Sequence, residues 1–205
     1  MRIEALKLEQ QKIFKRLKHF PEFYLVGGTA LALQIGHRTS IDFDLFSPKE
    51  IPRGLLNKAK IIFRGFEIRT ILNHSEQLSI KAGQTKIDFV KYEFPLLLKL
   101  IAFEGVKLVS VPEIAAMKAF AVGQRGTLKD YVDLYFILKN GHITIEMIKT
   151  FAEKKYKNEF NFRLFLEQLV YFEDIKLEKI EFLKRTVTRE EMAKFFAGEI
   201  KKLRL

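Results

Sequence analysis

The chain has 205 residues, of which 48% are hydrophobic and 20 are Phe, so it is long and apolar enough to bury a core and does not read as disordered. Thirty-six Lys and Arg stand against 25 Asp and Glu, a net charge of +11 that suits either a polyanionic partner such as nucleic acid or a Lys-rich solvated surface. There is no Cys, which excludes disulfides and thiolate metal sites.

Residues 3–19 predict an amphipathic helix that buries Leu6, Ile13, Phe14 and Leu17. That opening stretch is charged throughout, so it is not expected to be a signal peptide, and no run has the length of a membrane span. The expectation is a soluble, cytoplasmic protein. Phe23 to Val26 predicts a short buried strand ending at Gly27-Gly28. Thr29 to Ile35 predicts a compact apolar helix closed by Gly36, and Ile41 to Phe46 an alternating strand. A helix is expected over 53–64, then strands at 66–72, 77–82, 85–92 and 106–110.

After Ser110 the periodicity becomes helical, with Ser110 and Glu113 spaced as a capping box. Helices are expected near 112–125, 128–139, 144–155, 159–172 and 189–204. The last starts from a second box, Thr188 and Glu191, and buries Met192, Phe195, Phe196, Ile200 and Leu203. The pattern is an α/β half followed by a helical half, with domains expected at 1–110 and 111–205. His74 and His142 fall in turns and are expected at the surface.

Ile41-Asp42-Phe43-Asp44-Leu45-Phe46 carries the most chemistry. Alternation on a strand points Asp42 and Asp44 one way and Ile41, Phe43 and Leu45 the other. Their Cα atoms then lie roughly 6–7 Å apart. Carboxylate oxygens so placed suit Mg2+ or Mn2+, with water and phosphates as the other ligands. A solvated strand face explains the same pattern without a ligand. Upstream, Gly27, Gly28 and Thr29 sit between a strand and a helix, where backbone N–H groups and a hydroxyl suit phosphate; a tight turn is the plainer alternative. Arg38 is positioned to steady a triphosphate, and Ser40 to lie close to the metal. Asp88, flanked by Ile87 and Phe89, also faces away from an apolar side and is expected to complete a two-metal site, or else to be an ordinary surface Asp.

A second cluster follows on two predicted helices. Lys118 and Arg125 are seven residues apart, hence on one side of a helix that runs that far. Thr127-Leu-Lys-Asp130 reads as a capping box, and Asp133 one turn later is placed to pair with Lys129 or Arg125.

The run from Gly27 to Phe46, GGTALALQIGHRTSIDFDLF, resembles the signature of the AbiEii/AbiGii toxin family of nucleotidyltransferases, within the polymerase-beta-like superfamily. Ala116-Met-Lys118, Arg125 and Lys129-Asp130-Tyr-Val-Asp133-Leu-Tyr135 resemble its second signature. The likeness spans roughly residues 22–140. It implies an α+β fold: a nucleotidyltransferase-type mixed sheet flanked by helices, then a C-terminal helical bundle that completes the active site. It further implies Asp42 and Asp44 as metal ligands, Lys118 as neutraliser of phosphate charge and Asp130 as an essential carboxylate. Gly27-Gly28-Thr29 departs from the superfamily's usual Gly-Ser turn.

The function so implied is metal-dependent transfer of a nucleotide from an NTP to an acceptor hydroxyl by the toxin of a toxin–antitoxin or phage-defence pair. Its expected partners are RNA, tRNA in particular, and a cognate antitoxin. The alternatives are a nucleotidyltransferase acting on a small molecule or a protein hydroxyl, and a non-catalytic binding module of the same fold.

Overall fold

A computed structural model describes residues 1–124 and 126–203. They divide into two compact units, Met1–Ser110 and Val111–Leu205. None of the described helices is long and apolar enough to cross a membrane.

The first unit is a seven-stranded mixed sheet with three helices. In chain order the elements are α1 (Leu8–Leu17), β1 (Tyr24–Val26), α2 (Gly27–Ile35), β2 (Phe43–Ser47), α3 (Leu55–Ile62), β3 (Ile68–Asn73), β4 (Gln77–Ala82), β5 (Thr85–Lys91), β6 (Ile101–Phe103) and β7 (Val106–Leu108). The strand order is β3-β4-β5-β2-β1-β7-β6. β2 pairs with β5 and β1 with β7 in parallel, and the other pairs are antiparallel.

Alternation along the central strands sorts their side chains. Phe43 and Leu45 of β2 and Ile87 and Phe89 of β5 are buried. They meet the aromatic side of α1 and the segment after it: Phe14 lies 6.4 Å from Phe43, while Phe20 and Phe23 lie 4.9 and 5.1 Å from Phe89. Phe63, at the end of α3, stacks on Phe20 at 5.6 Å. With no Trp in the chain, Phe supplies this bulk.

The expected first helix is shorter than the hydrophobic pattern. A 3-10 turn over Ile3–Ala5 precedes α1, and Gln10 caps α1 by accepting from the Lys7 N–H at 2.9 Å. The four expected residues, Leu6, Ile13, Phe14 and Leu17, are all buried. Gly36 ends α2 in the left-handed conformation, φ 61°, as a C-terminal glycine does. β2 starts at Phe43, so Asp42 lies one residue before the ladder and Ile41 is 49% exposed rather than packed with Phe43 and Leu45. The hairpin partner β6 has no counterpart among the expected strands. Three residues, Ile101–Phe103, are too few for alternation to register, and pairing with β7 defines the strand.

The second unit is helical: α4 (Val111–Gln124), α5 (Leu128–Lys139), α6 (Ile145–Tyr156), α7 (Phe162–Val170) and α8 (Arg189–Lys201). α4 packs against α5, α6 and α7, and α8 against α5 and α7. Two helix starts use the expected caps, Thr127 and Thr188, and Thr144 caps a third. The Ser110–Glu113 box does not form. Glu113 turns instead to Lys155 of α6 at 2.7 Å in a wholly buried ion pair, and the Ser110 hydroxyl is buried without a hydrogen bond. Glu191 likewise leaves its box for the Tyr135 hydroxyl and Arg185. Met192 and Phe196 are buried as expected, whereas Phe195, Ile200 and Leu203 are half-buried. His74 and His142 are exposed.

Phe89 sits where β5 meets two other aromatic rings, so Phe89→Ala removes a fully buried ring. The expected cost is about 3–5 kcal/mol of folding stability, read from the midpoint of a urea transition.

Candidate active site

β1 delivers the chain to the first turn of α2 at Gly27-Gly28, both half-exposed. Gly27 has φ +69°, and a Cβ there would stand 2.6 Å from Asp44 Oδ2. Both constraints demand glycine: the backbone enters the left-handed region, and the carboxylate fills the space where a side chain would begin. The Arg38 guanidinium does the same at Gly28. The N-terminal N–H groups of α2 thus stand beside a carboxylate and a buried guanidinium. Helix N-termini attract anions, and Arg38 adds a positive charge.

Thr29 is buried, and its hydroxyl donates to the Asp42 carbonyl while it accepts from Ser40 Oγ at 2.7 Å. Its role in this geometry is to tie α2 to the chain entering β2. Ser40 is tied further by its own N–H to the Ala5 carbonyl at 3.2 Å. Arg38 is buried and donates to the Thr39 carbonyl at 3.0 Å.

Asp44 stands opposite Val26 on β1 and opposite Asp88 on β5. Asp42 is exposed at the mouth of β2, and its Oδ1 accepts from the Lys86 backbone N–H at 3.2 Å. The structure therefore brings Gly27, Gly28, Thr29, Arg38, Ser40, Asp42, Asp44 and Asp88 to one region of the first unit.

A residue absent from the sequence reading joins them. Lys86 Nζ contacts Asp88 Oδ2 at 2.6 Å. The Asp88 hydrogen bond holds the Lys86 ammonium above its ordinary pKa against the opposing effect of burial, and the charges of Asp88, Asp44 and Asp42 act in the same direction. The signal was present in Lys86-Ile87-Asp88, since residues two apart on a strand share a face. The other Asp88 oxygen, Oδ1, is buried without a hydrogen-bond partner.

Among the described residues no three His, Asp or Glu side chains form a group arranged for a metal ion. The donor set nonetheless fits one hard cation. Mg2+ is commonly held through one or two carboxylates, with water and substrate phosphate completing the shell, and Asp42 and Asp44 supply that number.

In the second unit, Lys118 of α4 reaches two carboxylates of α5: Asp130 at 2.9 Å and Asp133 at 2.7 Å. Asp133 is 0% exposed. It was expected to pair with Lys129 or Arg125; Lys129 instead meets Glu178 at 2.9 Å. The burial of Asp133 explains the choice, because the flexible Lys129 stays at the surface while Lys118 is directed inward from α4. The Arg125 expectation lies outside the described residues. Asp130 does two things at once. Its Oδ2 accepts from the N–H and hydroxyl of Thr127 at 2.9 and 2.8 Å, while its Oδ1 holds Lys118. Burial would push its pKa up, but the Lys118 charge and hydrogen bond and the Thr127 N–H outweigh it and hold the carboxyl below its ordinary value.

A family model described as "Nucleotidyl transferase AbiEii toxin, Type IV TA system" matches residues 12–204. The uncharacterized protein aq_aa25 of Aquifex aeolicus (strain VF5) is 32% identical over 204 residues, covering 97% of this chain and 98% of that one. Among solved structures, MenT4, a nucleotidyltransferase toxin from Mycobacterium tuberculosis H37Rv, superposes with a TM-score of 0.66 at 17% identity, over 96% of this chain and 82% of that one. A chain from H. pylori gives 0.64 at 20% identity, over 94% and 91%. The antibiotic-resistance factor ANT(2'')-Ia gives 0.51 at 15% identity, over 70% and 86%. At these identities the structural likeness is one of fold.

The Lys118 triad generates two predictions. Lys118→Met removes the buried cation that contacts both Asp130 and Asp133, and the expected loss is about 3–5 kcal/mol in urea unfolding. Asp130 has a lowered folded pKa, so its contribution is present above the unfolded Asp value of about 3.9 and is lost as pH falls through the folded value. Between pH 7 and pH 3 the urea midpoint of Asp130→Asn should therefore fall less than that of the unsubstituted protein.

Proposed function

Because this chain belongs to the AbiEii nucleotidyltransferase toxin family, and so is a nucleotidyltransferase, we propose that it moves a nucleotide from an NTP to the hydroxyl of an RNA, with the 3' end of a tRNA as the acceptor. The acceptor oxygen attacks the α-phosphorus, the bond to the β-phosphate breaks, pyrophosphate departs and the hydroxyl proton passes to solvent. Asp42 and Asp44 hold one divalent cation, Mg2+ or Mn2+. When bound, that ion supplies Lewis-acid stabilisation of the charge on the transferring phosphoryl group.

The observation that supports this reading is the meeting of Gly27 and Asp44. A phosphate-binding turn abuts a carboxylate so closely that only a bare Cα fits between them. The N–H groups of Gly27 and Gly28 donate to the triphosphate, and Arg38 behind Gly28 adds positive charge to that end of α2. Thr29 and Ser40 hold the Asp42 backbone in place. Catalysis by such residues is positioning and charge compensation. By the family resemblance, Lys118 serves as the phosphate neutraliser and Asp130 as the essential carboxylate. The net charge of +11 suits an RNA acceptor. In the cell the protein acts as the toxin of a pair, restrained by a cognate antitoxin.

The test is incubation with each radiolabelled NTP, Mg2+ and total RNA, beside an Asp42→Ala control. Label in the tRNA fraction that Asp42→Ala reduces at least about a hundredfold is expected, a loss typical of removing transition-state charge stabilisation. Label that appears only on small molecules or protein, or that survives Asp42→Ala, would refute the reading. A smaller version of the same test bears on the turn. Gly27→Ala forces a strained φ and displaces the Asp44 carboxylate, so it should cost about 1–2 kcal/mol in stability and abolish NTP binding in calorimetry.

A further inference from the structure

The Lys86 side chain is a long arm with one end fixed. Its backbone N–H is bound to Asp42 Oδ1 at 3.2 Å, and its ammonium reaches along the strand face to Asp88 Oδ2 at 2.6 Å. β2 and β5 run in parallel with Asp44 directly beside Asp88, at the spacing of neighbouring strands, about 4.8 Å. Asp44 and Asp88 therefore stand side by side, with the Lys86 ammonium on Asp88 and Asp42 held to the Lys86 backbone. The question is what keeps Asp42, Asp44 and Asp88 together when their charges repel.

We propose that the Lys86 ammonium is a tethered cation that occupies Asp88 in place of a second divalent ion, so that the carboxylate face loads a single ion, on Asp42 and Asp44. This rests on the metal reading of Asp42 and Asp44 given above.

Two observations carry it. The contact is short and charge-assisted, and the Asp88 side chain is only 13% exposed, so the pair is shielded on one side from competing water. No three-carboxylate metal group is assembled among the described residues, although Asp88 lies in register with Asp44. Paired-ion sites hold their ions about 3.5–4 Å apart with carboxylates between them. An ammonium bound to Asp88 lies within the range at which a second divalent charge would be strongly repelled. Lys86 thereby supplies the positive charge of a second ion and none of its Lewis acidity. It is a positioning residue: it holds Asp88 and sets the number of ions, and no step of the transfer passes through it.

The experiment is an equilibrium count of bound Mn2+ on nucleotide-free protein, read by the loss of the free-ion EPR signal. The expected counts are one ion on the unsubstituted protein, one on Lys86→Arg, one on Asp88→Asn and none on Asp42→Ala. Lys86→Met should take a second ion, or bind the first at least about tenfold more tightly once the fixed charge is gone. Lys86 is 40% exposed in its side chain, so the substitution is compatible with folding, and a thermal melt confirms it. Two ions on the unsubstituted protein, loss of the ion in Asp88→Asn, or a Lys86→Met protein with unchanged count and affinity each overturn the inference and leave the metal reading intact. No Mn2+ bound to any of these proteins overturns both.

Discussion

Asp44 and Asp88 face one another because β2 and β5 pair in parallel through five residues, Phe43 to Ser47 against Ile87 to Lys91. That register is locked from the opposite side of the sheet. Phe43, Leu45, Ile87 and Phe89 are buried there, and a slip of one residue would send the aspartates into the aromatic core and the aromatic rings to solvent. The acids are thus held by the cost of moving their apolar neighbours. Phe14, Phe20, Phe23 and Phe63 complete that lock, which is why so much of the chain's Phe gathers around two strands.

Crowded carboxylates need compensation, and both units meet the need with a single lysine. Lys86 serves Asp88 in the first unit, and Lys118 serves Asp130 and Asp133 in the second. The two cases differ in burial. The Lys86 side chain is partly solvated, whereas Lys118 and Asp133 are enclosed and their pairing is part of the packing. Lys155 with Glu113 is a third and wholly buried example, and there the pair costs a helix cap: Glu113 serves Lys155 and leaves Ser110 uncompensated.

The turn at Gly27-Gly28-Thr29 is built from small residues and ties packed around one carboxylate and one guanidinium. Gly27 yields its side-chain space to Asp44, Gly28 yields its own to Arg38, and Thr29 fastens the backbone of Asp42. A motif that reads along the chain as a run of small residues is, in space, a set of mutual exclusions. Gly27 is required by its left-handed φ as well as by the Asp44 oxygen beside it.

The order of elements was legible in the sequence because period-2 and period-3.6 patterns reflect which face is buried, and burial dominates the local choice. The helices at 128–139 and 144–155, the strands at 77–82 and 85–92, and the αL stop at Gly36 all follow from patterns of that kind. So does the glycine turn before Asp42 and Asp44, whereas the strand that was to hold both acids begins only at Phe43. What the sequence could not convey were choices between competing partners. Glu113 had two candidates, a cap and a lysine, and Asp133 had three. Lys86 shares a strand face with Asp88, but only the pairing of β2 with β5 placed Asp44 beside them. Strand β6 exists only because β7 pairs with it. Local periodicity records how a segment meets the core, and that information is written in neighbouring residues. Ion pairs and strand neighbours join residues far apart in the chain, and only the folded structure decides among them.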